Sequence, residues 1–355
     1  MSAAGTSRYV LGWGNGYYGR LAQGRGDWDD KPYPVVLRKG PWDAVLTGKR
    51  MTLAAGAAHV MTVTDGVLAS HGKCHFGQLG LGMIDEDESY PVQVALVGRE
   101  SDDDIVAAYA GESSGFARTS SGQIWAWGCG FYFGLGDRSE DHALVPRRVD
   151  DCWREAGWYG DGREIVDIAG GGSHIAVLCS DGIVVTGGGN QYGQTGRGRD
   201  ERAVALDEPV KLPERAVAVA ASRRHTLVLG ESGAVYSAGE AGVDVLGRDG
   251  DGRTFDKVAG LEGIKHIALG PKHGLAASDD AVYSWGAGLH GRLGHGDHCD
   301  VSQPTRIVFE PTMSGHVVGL AVGSSHSLVL TSSGELWSWG SDVRGKQLFR
   351  SAARD

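Results

Sequence analysis

Several things this chain has little of narrow its class. It holds no run of about 18 apolar residues, the length a membrane-crossing helix needs. Its start, MSAAGTSRYV, has neither a basic opening nor a long apolar core, so neither a secretory leader nor a membrane span is expected. The cysteines, Cys74, Cys129, Cys152, Cys179 and Cys299, are scattered, odd in number and free of Cys-x-x-Cys spacing. That speaks against a zinc ribbon and a disulfide framework and fits a reducing setting. The expected location is intracellular: cytoplasmic, with the nucleus as the alternative. Catalytic signatures are missing too. There is no Gly-x-Ser-x-Gly elbow, no metal-hydrolase helix motif and no carboxylate pair in a distinctive frame. The expectation is a non-enzyme with no catalytic residues, no cofactor and no bound metal. No amphipathic segment is long enough for a major helix.

Positive charge is also short. The formal charge is −10 and the isoelectric point is near 5.7. Sequence-independent nucleic-acid binding relies on basic surface, so no direct contact with nucleic acid is expected. Acid gathers at Asp85, Glu86, Asp87 and Glu88, and again at Glu100, Asp102, Asp103 and Asp104. These clusters read as solvated loop charge, or as an acidic surface facing a basic partner.

What is abundant is glycine, 58 of 355 residues, where about 7 per cent is usual. Proline stays at 10 residues and hydrophobic residues reach 41%, so the chain is neither collagen-like nor disordered. Many short strands joined by tight turns fit this composition.

Glycine recurs inside a phrase. Residues 11–24 read LGWGNGYYGRLAQG, residues 69–82 ASHGKCHFGQLGLG and residues 283–296 YSWGAGLHGRLGHG. Weaker copies lie at 125–137, 185–198, 236–249 and 337–349. The marker glycines are Gly14, Gly72, Gly128, Gly188, Gly239, Gly286 and Gly340, spaced 58, 56, 60, 51, 47 and 54 residues apart. Such a period identifies a repeat architecture. Six of the seven follow a Gly-x-x-His slot: His59, His174, His225, His273 and His326, with Ser114 in place of one histidine and Ser222 in place of one glycine. The interval from slot to marker is always 13 or 14 residues.

Between slot and marker the pattern alternates like two strands, with hairpin turns at Asp65-Gly66, Ser121-Gly122, Asp181-Gly182, Ser232-Gly233 and Ser333-Gly334. A further strand precedes each slot, as at 165–169 and 317–322. A fourth is expected after the phrase, opened by Pro91, Pro146, Pro209 or Pro304, since proline suits an edge or a strand start. Four strands per repeat describe a propeller blade.

These residues resemble the repeats of the regulator of chromosome condensation (RCC1) family, from about residue 9 to residue 349. The resemblance implies an all-β, seven-bladed β-propeller of four-stranded blades, a single domain over residues 1–355. It also implies closure by one blade drawing strands from both termini. Seven phrases against six slots depart from that pattern. Three closures are open: six blades with residues 33–39 as the last outer strand, seven blades with one incomplete, or completion by a partner.

The repeat histidines lie at one radius in successive blades and read as structural hydrogen bonds rather than bases or ligands. The Trp-Gly steps at Trp13, Trp127, Trp285 and Trp339 read as packing between blade faces. The segment from His295 to Asp300 holds four potential ligands in an ordinary loop position, and no metal is expected there.

Partner contacts are sought where the repeat is broken. The extension at 150–164, DDCWREAGWYGDGRE, carries Trp153, Arg154, Trp158 and Tyr159, residue types common at interfaces. The same rings folded back onto the propeller are the competing reading. Arg197, Arg199 and Arg202, with Arg223 and Arg224 before a slot, offer charge to an acidic partner.

The leading functional expectation is a protein-interaction scaffold, alone or within a larger assembly. The alternative, which the resemblance allows, is a guanine-nucleotide exchange factor for a Ran-like small GTPase, with 150–164 or 137–145 as its wedge. Ultraviolet-B sensing, a third family role, implies tryptophan just before the slots. Here those positions hold Ala57-Ala58, Arg223-Arg224, Pro271-Lys272 and Ser324-Ser325.

Overall fold

A computed structural model describes residues 11–14, 31–36, 51–131, 135–137, 141–160, 162–198, 201–242 and 245–341. The described residues are all-β apart from two short helical turns. β1 (Leu11–Gly14) pairs with β2 (Lys31–Val36) as a two-stranded sheet. Blade two follows as β3 (Met51–Ala55), β4 (His59–Thr64), β5 (Val67–Gly72) and β6 (Glu88–Gln93). Blade three is β7 (Ile105–Ala110), β8 (Ser114–Thr119), β9 (Ile124–Gly128) and β10 (Ala143–Arg148). Helix α1 (Asp150–Glu155) leads to blade four: β11 (Ile165–Gly170), β12 (His174–Cys179), β13 (Val184–Gly189) and β14 (Ala203–Val204). Blade five is β15 (Ala216–Ala221), β16 (His225–Gly230), β17 (Val235–Gly239) and β18 (Asp256–Lys257). Blade six is β19 (His266–Leu269), β20 (His273–Ala277), β21 (Val282–Gly286) and β22 (Val301–Arg306). Blade seven shows β23 (Val317–Val322), β24 (His326–Thr331) and β25 (Leu336–Gly340). The six sheets of three or four strands, numbered two to seven after their phrases, are antiparallel meanders in chain order, the form of propeller blades, so the described residues make a six-blade arrangement, the stated alternative to seven.

The contacts divide the chain into two compact parts, residues 1–129 with 142–149, and residues 130–141 with 150–355. Blades two and three belong to the first and blades four to seven to the second. In the second part the core lies between neighbouring sheets. Leu178 and Val184 of blade four pack with Val228 and Tyr236 of blade five. Leu227 and Val235 of blade five pack with Ala276 and Trp285 of blade six. Leu275 and Val282 of blade six pack with Val329 and Trp339 of blade seven. A single four-stranded sheet cannot bury its own faces, so each blade depends on the next.

Three strand expectations are corrected. Residues 33–36 fall in β2, whose hydrogen-bonded partner is β1, and residues 37–39 lie outside the described residues. Pro91, Pro146 and Pro304 sit inside β6, β10 and β22 rather than opening them, each within the stretch where pairing with the neighbouring strand shifts register. Ladder donors are not needed across that shift, so proline costs no hydrogen bond there. In blade four the outer strand is β14, and Pro209 makes only a single bridge to Val185.

The two sequence markers face each other across the hairpin. His59 pairs with Gly72, Ser114 with Gly128, His174 with Gly188, His225 with Gly239, His273 with Gly286 and His326 with Gly340. The marker glycines of these six blades have φ between +97° and +136°, and a Cβ there would lie 2.2–2.5 Å from the carbonyl oxygen of the residue before the slot. Only glycine fits both conditions. That carbonyl is occupied, because it accepts the N–H just after the marker: Lys73 to Ala58, Cys129 to Ser113, Gly189 to Ser173, Glu240 to Arg224, Ala287 to Lys272 and Ser341 to Ser325.

Neighbouring blades are joined by one recurring bond. The carbonyl just before Leu79-Gly80, Thr195-Gly196, Leu246-Gly247 or Leu293-Gly294 of a phrase accepts a donor from the following blade. Trp127 Nε1 donates to Gln78 at 3.0 Å, Trp285 Nε1 to Val245 at 2.8 Å and Trp339 Nε1 to Arg292 at 2.8 Å. Blade five has Ala238 where these tryptophans stand, and there Thr226 Oγ1 donates to Gln194 at 2.7 Å instead. The slot histidines complete the relay. His174 Nε2 donates to Thr226 Oγ1 at 2.8 Å and His273 Nε2 to Ser327 Oγ at 2.8 Å. Both hydroxyls spend their own proton on a phrase carbonyl, which fixes Nε2 as the protonated nitrogen.

Burial holds these rings neutral. It lowers the imidazole of His59 to about 4, and those of His174 and His273 to about 3, from 6.5. An unfolded chain takes up protons on these rings below about pH 6.5, whereas the folded chain does not until its depressed values are reached. The stability they carry is therefore full above pH 6.5 and is lost as pH falls towards 4 and 3. Each ring should cost about 2 kcal/mol by pH 5. Asp167, its carboxyl pushed up by burial, works in the opposite direction and offsets a part. The urea midpoint should fall markedly between pH 7 and pH 5. An unchanged midpoint would contradict this account.

Candidate functional site

The extension after blade three folds inward. Trp153 is fully buried, and Trp158 and Tyr159 are 3% and 7% exposed. The expectation that these rings anchor a partner is corrected by that burial, and 150–164 is not a bare loop because α1 opens it. Asp150 and Asp151 stand in the first turn of α1 and Arg154 in its last, the charge order a helix dipole favours. Arg154 bonds the buried Asp150 carboxylate at 3.2 Å and lies 4.7 Å over the Tyr159 ring. It is spent on holding the helix.

The neighbours of Trp153 explain the segment. Blade four carries Gly187 at the tryptophan position of the repeat. Trp153 Nε1 donates to the Gly136 carbonyl at 2.8 Å, and its ring lies 3.2 Å from where a Cβ of Gly136 would be. Gly80, Gly247 and Gly294 meet Trp127, Trp285 and Trp339 in the same way. Trp158 Nε1 adds a bond to the Leu206 carbonyl at 2.8 Å, and the two indoles lie 5.2 Å apart. The insertion thus lays an indole on Gly136. Its three rings are buried, while Asp151, Arg154, Glu155, Gly157, Gly162 and Glu164 stay exposed. Of 137–145, residues 138–140 lie outside the described residues.

The arginine cluster is separated. Arg197 is 2% exposed, with ion pairs to Asp207 at 2.8 Å and Glu208 at 2.7 Å and bonds to the Thr186 and Ala205 carbonyls. That pairing corrects its expected role as a surface contact. Arg202 is exposed, and its carbonyl accepts the Asn190 N–H. Arg199 lies outside the described residues.

A cationic surface does form, at the loops before the slots of blades five and six. Arg223 and Lys272 are exposed. Arg224 reaches back to blade four, its guanidinium 4.1 Å over the Tyr192 ring and 2.6 Å from the Glu240 carboxylate. Lys272 and Arg224 both act on His225 between them, whose imidazole is lowered chiefly by burial. Beside them Gln191, Tyr192, Glu240, Ala241, Asp251 and Arg253 line a shallow depression of about 270 Å³. Leu289, 56% exposed, lies two residues beyond the Ala287 N–H that bonds Lys272. The sequence flagged Arg223 and Arg224. Tyr192 was missed, since its place in a phrase marked it as scaffold.

The acidic stretch at 100–104 has its own structural use. The Asp103 carboxylate accepts bonds from Ser120 Oγ, Ser121 N and Ser121 Oγ, capping the β8–β9 turn. Among the described residues no three His, Cys, Asp or Glu side chains converge as metal ligands, and no helix is long and apolar enough to cross a membrane.

Four-stranded meanders joined face to face define a β-propeller of repeat-built blades. Comparison gives the family. The model of the RCC1-like domain matches residues 2–314, and the regulator of chromosome condensation (RCC1) repeat matches residues 317–346. The chain belongs to this RCC1-like family. It is 32% identical over 306 residues to the mouse E3 ubiquitin-protein ligase HERC2, covering 83% of this chain and 6% of that protein's length. It is 30% identical to the mitochondrial RCC1 domain-containing protein RUG3 of Arabidopsis thaliana, over 93% of this chain and 77% of that one. Yeast RCC1 (Prp20), solved with Kap60 bound, superposes with a TM-score of 0.78 at 23% identity, covering 98% of this chain and 82% of that one. That structural likeness shows the shared fold.

The insertion gives a direct test. Trp153→Ala removes a buried ring and orphans a carbonyl, and should cost about 3–5 kcal/mol in urea unfolding. Trp153→Phe should lose less, about 1–2 kcal/mol. Arg223→Ala, on the surface, should stay within about 0.5 kcal/mol of wild type. Equal stability of Trp153→Ala and wild type would remove the indole from the inter-blade joint.

Proposed function

We propose that this chain is a protein-interaction propeller, a single domain over residues 1–355 that works as a scaffold or as one module of a larger assembly. One observation carries the reading. The conspicuous His, Trp and Gly residues are consumed by the fold, whereas at the cationic pre-slot loops the fold uses the Arg224 and Lys272 carbonyls and leaves the Arg223 and Lys272 side chains exposed, with the Arg224 guanidinium braced on Tyr192 and Glu240. Rigid scaffold with variable loops is how repeat proteins bind partners. The small share of HERC2 that the chain matches accords with a module. An intracellular setting goes with it: cytoplasmic, with the nucleus as the alternative.

Exchange on a Ran-like small GTPase is the competing function, and the burial of Trp153, Trp158 and Tyr159 leaves its first candidate wedge, 150–164, without exposed rings. Two measurements separate the readings. Cross-linking of the purified full chain in cell extract, followed by mass spectrometry, should recover a discrete partner. GDP release from Ran should not be accelerated at micromolar protein. Faster release would replace the scaffold reading with exchange. Recovery of no specific partner would defeat it.

A further inference from the structure

We infer that the loop surface of blades four to six is a docking site for an acidic peptide segment of a partner protein, received by Arg223, Arg224 and Lys272 beside Tyr192. This rests on the protein-interaction reading above and names its chemistry.

The first argument is preorganisation. A free arginine loses side-chain entropy when it binds. Arg224 has already lost much of it, held flat on Tyr192 at 4.1 Å and tied to Glu240 at 2.6 Å. A planar guanidinium fixed in this way offers its remaining N–H groups in the fork that matches a carboxylate. Its position is set further by the Glu240 N–H bonded to its own carbonyl. The depression beside it is open, about 270 Å³, and polar at its rim through Gln191 and Arg253.

The second argument is contrast. The chain carries −10 overall, yet two successive pre-slot loops carry Arg223, Arg224 and Lys272, and Arg224 and Lys272 both act on the same imidazole, His225. The pre-slot positions of the other blades hold Ala57-Ala58, Glu112-Ser113, Gly172-Ser173 and Ser324-Ser325. None of those is a cation. The two exposed cations and the braced one give these loops a local attraction for acids that the net charge of the chain opposes elsewhere.

The third argument limits the ligand. Glu240 and Asp251 border the depression, so a continuous phosphate backbone would meet repulsion on both sides. A short peptide can place two or three carboxylates on the cations and keep the rest of its chain clear. Such a contact is screened by salt, because Arg223 and Lys272 stand in water.

The test uses the full chain and a fluorescein-labelled peptide of alternating Asp and Glu around one central Leu, read by anisotropy at low salt. Saturable binding is expected, weakened roughly tenfold at physiological salt. Arg223→Glu and Lys272→Glu should each weaken it about tenfold, and the double variant more, with melting unchanged. Tyr192→Ala should weaken it, and Tyr192→Phe, which keeps a ring under Arg224, should restore it. Absence of saturable binding, equal binding by the double variant, or tighter binding of a phosphoserine peptide or a single-stranded oligonucleotide would overturn the site. Cross-linking with the double variant separates the two levels. A partner held equally by wild type and double variant overturns this site and leaves the interaction reading standing.

Discussion

The structure depends on one bond that recurs between successive blades of the described residues, two to three, four to five, five to six and six to seven. A phrase places its carbonyl inside the interface, where water cannot satisfy it, and a buried carbonyl without a donor is costly. The following blade must therefore present an N–H or O–H at that point. Indole does so at Gln78, Val245 and Arg292, and a threonine hydroxyl does so at Gln194. The close approach demands the bare backbone of Gly80, Gly247 and Gly294 beneath the ring. Most of the glycine phrase follows from this single requirement. The insertion at 150–164 adds a related contact. Blade four has Gly187 in the tryptophan position, and Trp153 lays its ring on Gly136 and donates to the Gly136 carbonyl itself, two residues beyond the place of the recurring acceptor.

The same constraint decides which side chains are left for binding. At the pre-slot loops a carbonyl accepts the N–H after the marker glycine in six blades. Any side chain satisfies that use. Arg223 and Lys272 are thus exposed additions, whereas Arg224 pairs with Glu240 and Arg197 with Asp207 and Glu208. Two arginine groups that look alike in sequence differ because one lies under a phrase and the other lies above a slot.

Much of the fold was legible in the sequence because the repeat states its own register. The slot and the marker turn out to be cross-strand partners, which is why their separation scarcely varies. The hairpin glycines also fell where they were read, Gly66, Gly122, Gly182, Gly233 and Gly334 all having positive φ. Proline gave a weaker signal. It marks a tolerated gap in the ladder rather than a strand boundary, and so misplaced the outer strand of blade four. The role of Trp153 was harder to read, since the clue is a tryptophan absent from Gly187 and a compensating one 34 residues earlier. Local pattern cannot link the two; only the packing of the Trp153 ring on Gly136 does. The pairing of Tyr192 with Arg224 was hidden for the same reason, since it crosses from one blade to the next.

The joints are not equivalent, and the residue after the slot explains the differences. Blades three and six carry Gly115 and Gly274 there, and a Cβ at either would fall 2.4 or 2.6 Å from the ring of Trp127 or Trp285. These blades take the indole bond and forgo a hydroxyl, so the preceding histidine must manage without it. His225 turns to the Glu240 carbonyl of its own blade at 2.9 Å, and His59 has no side-chain hydroxyl to meet. Blade five makes the opposite choice, with Thr226 relaying His174 and Ala238 leaving no indole. Blade seven has both. Ser327 Oγ and Trp339 Nε1 each donate to the Arg292 carbonyl, at 3.0 and 2.8 Å, filling its two lone pairs. The joint between blades six and seven is therefore the most fully bonded of those described in the second compact part. The joint between blades five and six, beneath Arg224 and Lys272, holds its histidine inside one blade.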